Sequence, residues 1–129
     1  MADTYFKGSV KTGTIIIDPL AVNPLIKPDD GTATAVAGDS TLNKMAGVIT
    51  SEALTTAAGA EYTLIINNTK VTPNDLVFAS VRLNSATTGT PCITKVIPQD
   101  QYIEIHVQNV HASAAFNGTI NVSYIMFTA

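Results

Sequence analysis

Tyr102-Ile103-Glu104-Ile105-His106-Val107-Gln108 is the stretch on which the fold turns. Ile103, Ile105 and Val107 fall at every second position, with polar or amphipathic residues between them. Successive side chains of a strand point to opposite faces, so this period of two predicts a strand with one buried and one wetted face. The same reading extends outward. Residues 61–67 set Tyr62, Leu64 and Ile66 against Thr63 and Ile65, and residues 76–83 set Val77, Ala79, Val81 and Leu83 against Leu76, Phe78, Ser80 and Arg82. Residues 119–128 place Ile120, Val122, Tyr124 and Met126 on one side, and residues 92–97 and 46–52 are shorter candidates. Turn formers punctuate these runs: Thr72-Pro73-Asn74-Asp75, the segment 85–91 with Gly89, and Pro98-Gln99-Asp100-Gln101. The composition agrees, since 18 Thr, 13 Ile and 11 Val supply β-branched side chains that suit a pleated surface. No window carries a sustained 3.6-residue apolar stripe. The alanine-rich segments 53–60 and 112–115 have room for one helical turn each. The expected architecture is all-β: a single β-sandwich or jelly roll of short antiparallel strands with an extended N-terminal arm.

The chain is long enough for one domain, with 129 residues of which 46% are hydrophobic. Only 13% are charged, against roughly 25% in an ordinary soluble domain. A small domain exposes much of its surface, so this shortage implies that part of that surface is covered by another subunit or partner. The scarcity is uneven: no Asp, Glu, Lys or Arg follows Glu104. A charge-free segment holding the apolar strand 119–128 reads either as the central strand of a sandwich or as one packed against another subunit. On the second reading Phe116, Tyr124, Met126 and Phe127 would line an oligomer interface.

A net charge of −3, with six Lys and one Arg, leaves no basic footprint for nucleic acid. No apolar run approaches the roughly 20 residues that span a bilayer, so no membrane role is expected. The opening decapeptide MADTYFKGSV lacks the hydrophobic run of a secretory signal, so the chain is expected to be made in the cytoplasm. A single cysteine, Cys92, gives no intrachain disulfide, and a buried structural thiol is the simplest reading of it.

Residues 1–43 differ from the rest. Pro19, Pro24 and Pro28 are followed by Asp29-Asp30-Gly31 and a run of small residues, while Ile15-Ile16-Ile17 forms a compact apolar strand that is an aggregation hazard if left bare. This predicts an N-terminal arm with first strands and a proline-rich loop over residues 1–43, and a sandwich over 44–129. The arm's apolar and proline positions, Tyr5, Phe6, Ile15, Ile17, Pro19 and Pro24, are the candidate contacts to a larger assembly.

Catalytic signals are weak. His106 and His111 have no distinctive third ligand, Asp29-Asp30-Gly31 lacks the alternating acids of a calcium loop, and no phosphate-cradling glycine loop or nucleophile elbow is present. No catalytic residue, metal or cofactor is expected, and the chain is read as no enzyme. For sugars, which favour exposed aromatic faces, Tyr102 is the aromatic that alternation sets on a polar face, whereas Phe78, Tyr62 and Tyr124 read as core.

Two blocks carry a likeness. Residues 47–64, GVITSEALTTAAGAEYTL, and residues 111–119, HASAAFNGT, resemble small structural proteins of tailed bacteriophages, among them capsid decoration or cement proteins. The likeness runs from Gly47 to Phe127. It implies a virion protein on the capsid surface, a homo-oligomer with a trimer favoured, and the major capsid protein as partner. Similar phrases occur in phage fibre or tail modules, which would instead bind a receptor or glycan.

Overall fold

The computed structural model describes residues 29–129. They form eight strands: β1 (Asp30–Thr34), β2 (Asp39–Thr41), β3 (Ala46–Thr50), β4 (Glu61–Asn67), β5 (Leu76–Leu83), β6 (Pro91–Gln99), β7 (Tyr102–Asn109) and β8 (Ile120–Phe127). Two four-stranded sheets pack face to face. Sheet A runs β1-β3-β8-β5 and sheet B runs β2-β4-β7-β6. The fold is a β-sandwich. Its sheets are mixed, because β1 pairs with β3 and β2 with β4 in parallel, while the other four pairings are antiparallel.

Alternation decides which side chains meet between the sheets. Leu64 and Ile66 from β4, Ile103, Ile105 and Val107 from β7, Ile49 from β3, and Ile120 and Val122 from β8 are all fully buried. Each such side chain contributes on the order of 1.5–3 kcal/mol relative to exposure. Strands β8 and β7 lie inside their sheets, so the charge-free final strand is central. At the β5–β6 side the cover thins: Val77, Ala79, Val81, Leu83, Ile93 and Val96 are only half-buried.

The sequence expectations are adjusted in detail. The strands are not all antiparallel, and the first strands expected within residues 1–43 include β1 and β2, which are edge strands of the two sheets, so residues 30–41 belong to the sandwich as well as residues after 44. The alanine-rich segments hold no helical turn; Leu54 instead makes an isolated bridge to Gly118. Helix propensity in four to eight residues is overridden by neighbouring strands that offer backbone partners.

The loops at one end of the sandwich are tied by Asn109, which is fully buried. Its amide nitrogen donates to the carbonyls of Thr56 (3.1 Å) and Ala114 (2.8 Å). Its oxygen accepts from the backbone N–H of Thr90 (3.0 Å) and His111 (3.1 Å). At the other end Asn68 and Tyr124 both donate to the Lys44 carbonyl, at 2.7 Å each. Burial pushes the Tyr124 hydroxyl up to about 12.

Three carboxylates titrate below their usual range, and all act in the same direction. Asp75 is held down by the backbone N–H of Ala129, then by that of Thr72. Glu61 is held down first by His106 and Asp29 first by Lys44. A lowered folded-state value means stability that is present above the unfolded carboxylate range, about 3.9–4.3, and lost as pH falls through the folded values. The melting temperature should therefore hold between about pH 7 and 5 and drop below about pH 4. Asp75→Asn should melt lower at pH 7 and show a shallower acid decline; an equally steep decline would remove Asp75 from this account.

Candidate functional site

The two outward faces of the sandwich differ in chemistry. On sheet B the register brings Thr63 opposite His106, Ile65 opposite Glu104 and Asn67 opposite Tyr102, with Asp39 of β2 beside Ile65. His106 sits between two acids: Nδ1 lies 2.6 Å from Glu61 Oε1 and Nε2 lies 3.0 Å from Glu104 Oε1. Both ring nitrogens thus lie within hydrogen-bond reach of a carboxylate oxygen. The other oxygen of Glu61 accepts from the Thr94 hydroxyl at 3.1 Å.

Beside this cluster, Asp39, Ile65, Asn67, Tyr102 and Glu104 line a shallow open depression of about 520 Å³. Asn67 spans its floor, donating to Asp39 Oδ1 (2.6 Å) and to the Ser40 carbonyl (2.8 Å). The aromatic ring of Tyr102 and the carboxylates of Asp39 and Glu104 make a wall of acceptors with one apolar face. Such a wall suits hydroxyl-rich or cationic ligands and repels phosphate.

The other residues singled out for chemistry are occupied structurally. His111 Nδ1 accepts from the backbone N–H of Ser113 and Ala114, at 3.0 and 2.8 Å, and caps a loop. Asp29 pairs with Lys44 (3.1 Å) and Lys70 (3.4 Å). Cys92 is exposed on β6, contrary to the buried thiol expected, because β6 is an edge strand whose outward side chains face solvent. Among the described residues no group of three or more His, Cys, Asp or Glu is placed to hold a metal ion.

Sheet A turns a nearly uncharged face outward. Leu76 and Phe78 on β5 are each 56% exposed, and Phe127 on β8 is 51% exposed. The rings of Phe78 and Phe127 meet edge to face, with centroids 6.1 Å apart and planes at 79°. Phe78 therefore does not belong to the core, since β5 has apolar residues on both faces and only the other set points inward. Of the four candidate oligomer contacts, Phe127 alone is at the surface. Phe116, Tyr124 and Met126 are 2–4% exposed inside this subunit's own core, so they have little surface to offer a second copy. Tyr5, Phe6, Ile15, Ile17, Pro19 and Pro24 lie outside the described residues.

No protein-family model matches the chain, and neither a curated protein nor a solved structure matches it.

Proposed function

We propose that this chain is a non-enzymatic virion structural protein that associates with itself and acts as a decoration or cement protein on the outside of an icosahedral shell. The observation that carries this reading is the outward face of sheet A, where Leu76, Phe78 and Phe127 stand exposed on a chain already poor in charge. Contiguous exposed apolar surface on a soluble domain marks an interaction site. The likeness of residues 47–64 and 111–119 to phage structural proteins supplies the setting: the capsid surface, with the major capsid protein as partner. A ligand that binds the assembled lattice and not free subunits stabilises the lattice by linkage, and many linked copies add avidity.

The test is co-sedimentation with empty shells of the phage that carries the protein, followed by heating of the decorated shells. Bound protein and a raised shell-disruption temperature are expected; no binding to shells sinks the proposal. The arm has its own prediction. Deleting residues 1–18 should leave a folded oligomer, because all eight described strands lie within residues 30–127, yet abolish shell binding. Full binding by that variant would overturn the arm as the gripping element.

A second reading, a fibre or tail module that binds a receptor or glycan, is favoured by one observation. The depression on sheet B combines Tyr102 with the acids Asp39 and Glu104. It predicts binding to a glycan array that Tyr102→Ala removes, together with indifference to empty shells.

A further inference from the structure

We infer that the outward face of sheet A is the surface on which a second copy of this chain packs, in a two-fold arrangement centred near Phe78 and Phe127. The inference deepens the self-association part of the proposed function and rests on that reading.

Register gives the outward set row by row. Phe127 stands beside Leu76. The next row is Asp30, Ala46, Ile125 and Phe78, then Thr32, Val48, Ser123 and Ser80, then Thr34, Thr50, Asn121 and Arg82. Only two of these side chains carry charge. They are opposite in sign and sit on opposite edge strands, Asp30 near the start of β1 and Arg82 near the end of β5. A strongly charged partner gains nothing from such a face, whereas a face with one acid and one base suits its own kind. The rest is apolar or hydroxyl-bearing, the composition of an interface core depleted in charge.

Shape points the same way. A shallow, open hollow of about 240 Å³, lined by Phe78, Ala79, Ser80, Ser123, Tyr124 and Ile125, borders the Phe78 ring that Phe127 meets edge to face. Knob and hollow thus occur on one surface. A two-fold axis between them sets the Phe127 of each copy into the hollow of the other, the self-complementary condition of an isologous contact. The small side chains of Ser80 and Ser123 open the space beneath that ring. They let the two sheets approach toward the roughly 10 Å of face-to-face packing. Aromatic side chains seated in pockets near the centre of an interface carry most of its energy.

The contact is two-fold, so assemblies that use it hold an even number of copies: a dimer, or a pair of trimers if the trimer implied by the phage likeness also forms.

The experiment uses the full chain in two forms. In one, residue 78 is replaced by the photocrosslinker p-benzoylphenylalanine, and the irradiated protein is mapped by mass spectrometry. An adduct of twice the chain mass is expected, joining residue 78 to a peptide of β5 or β8 from another copy. In the other, Phe78→Ser with Phe127→Ser is weighed by light scattering beside the unaltered chain. The unaltered chain should have an even-numbered mass. The double variant should self-associate about a hundredfold more weakly, as the loss of two aromatic anchors implies, with an unchanged far-UV spectrum. A monomeric unaltered chain, an adduct on residues 1–28, or an oligomer whose mass the double variant retains would each overturn the inference. Shell co-sedimentation of the unaltered chain separates the two readings. Even-numbered oligomers that ignore shells sink the decoration role and leave this contact standing, and shell-bound monomers do the reverse.

Discussion

Phe116→Ala is expected to lower folding stability by about 3–5 kcal/mol, the range for truncating a buried aromatic ring. The ring lies on the connection between β7 and β8, and its residue is 2% exposed. It fills the space over Gly89, whose φ of +91° and lack of a Cβ let the backbone pass directly against the ring edge. The Phe116 backbone N–H, bonded to the Thr56 carbonyl at 3.0 Å, is kept by alanine, so the expected loss comes from the ring alone. A loss of this size in a chain of 129 residues corresponds to roughly 10–20 °C in melting temperature. Urea denaturation should show an earlier midpoint with an unchanged slope. A loss under about 1 kcal/mol, the scale of a surface substitution, would mean that Phe116 is not core and would return it to the interface.

Asn109→Leu comes next, at about 3–4 kcal/mol, for a different reason. The leucine has similar volume but leaves two carbonyls and two N–H groups without their side-chain partner, and each unmade buried bond costs about 1–3 kcal/mol before relaxation. Asn109→Asp separates geometry from donation. The acid keeps both acceptor bonds and sets its second oxygen against the Thr56 and Ala114 carbonyls, so its folded-state pKa is raised. Stability from a raised carboxyl is present at low pH and lost as pH rises, so this variant should gain on acidification relative to the unaltered chain, whose carboxylates pull the other way. Thermal melts of both proteins at pH 4 and pH 7 check the sign. A variant whose deficit is the same at both values would show that the amide protons are not what matters.

Much of the sandwich was legible because strands with one clean apolar face announce themselves. The boundaries of β4 and β5 follow from alternation alone, and β7 needed one residue more. The positions of β1 and β2 are not marked in the sequence: Asp-Gly-Thr-Ala-Thr and Asp-Ser-Thr have no large apolar side chain to mark a face. Their strand character comes from parallel edges offered by β3 and β4. Pairing partners leave no trace in a single sequence, which is why the mixed sheets and the row joining Asp30 to Phe78 appear only in three dimensions. The absence of charge after Glu104 was real, but its cause was ambiguous. A central strand and an intersubunit strand make the same demand on composition, and β8 answers part of each: Tyr124 and Met126 turn inward and Phe127 outward. The acidic depression was half visible. Tyr102 was assigned to a polar face, while Asp39 and Asn67 join it only through the β2–β4 pairing.

The order of strands has a consequence for the time course of folding. Among the described strands only β6 and β7 follow one another within a sheet, joined at Asp100 and Gln101 with Gln101 at φ +67°. Every other adjacency joins strands separated by other elements, a topology that folds in milliseconds to seconds rather than microseconds. In sheet A, moreover, β3 and β5 are held together only through β8. A ribosome that has delivered residues 29–119 has produced the flanking strands of that sheet with nothing between them, so assembly must wait for the last strand to emerge. Until then the rows that will face each other across the sandwich stay open to other nascent chains. In a cell making many copies at once, the interval between the arrival of β5 and the arrival of β8 is when these exposed rows are open to aggregation.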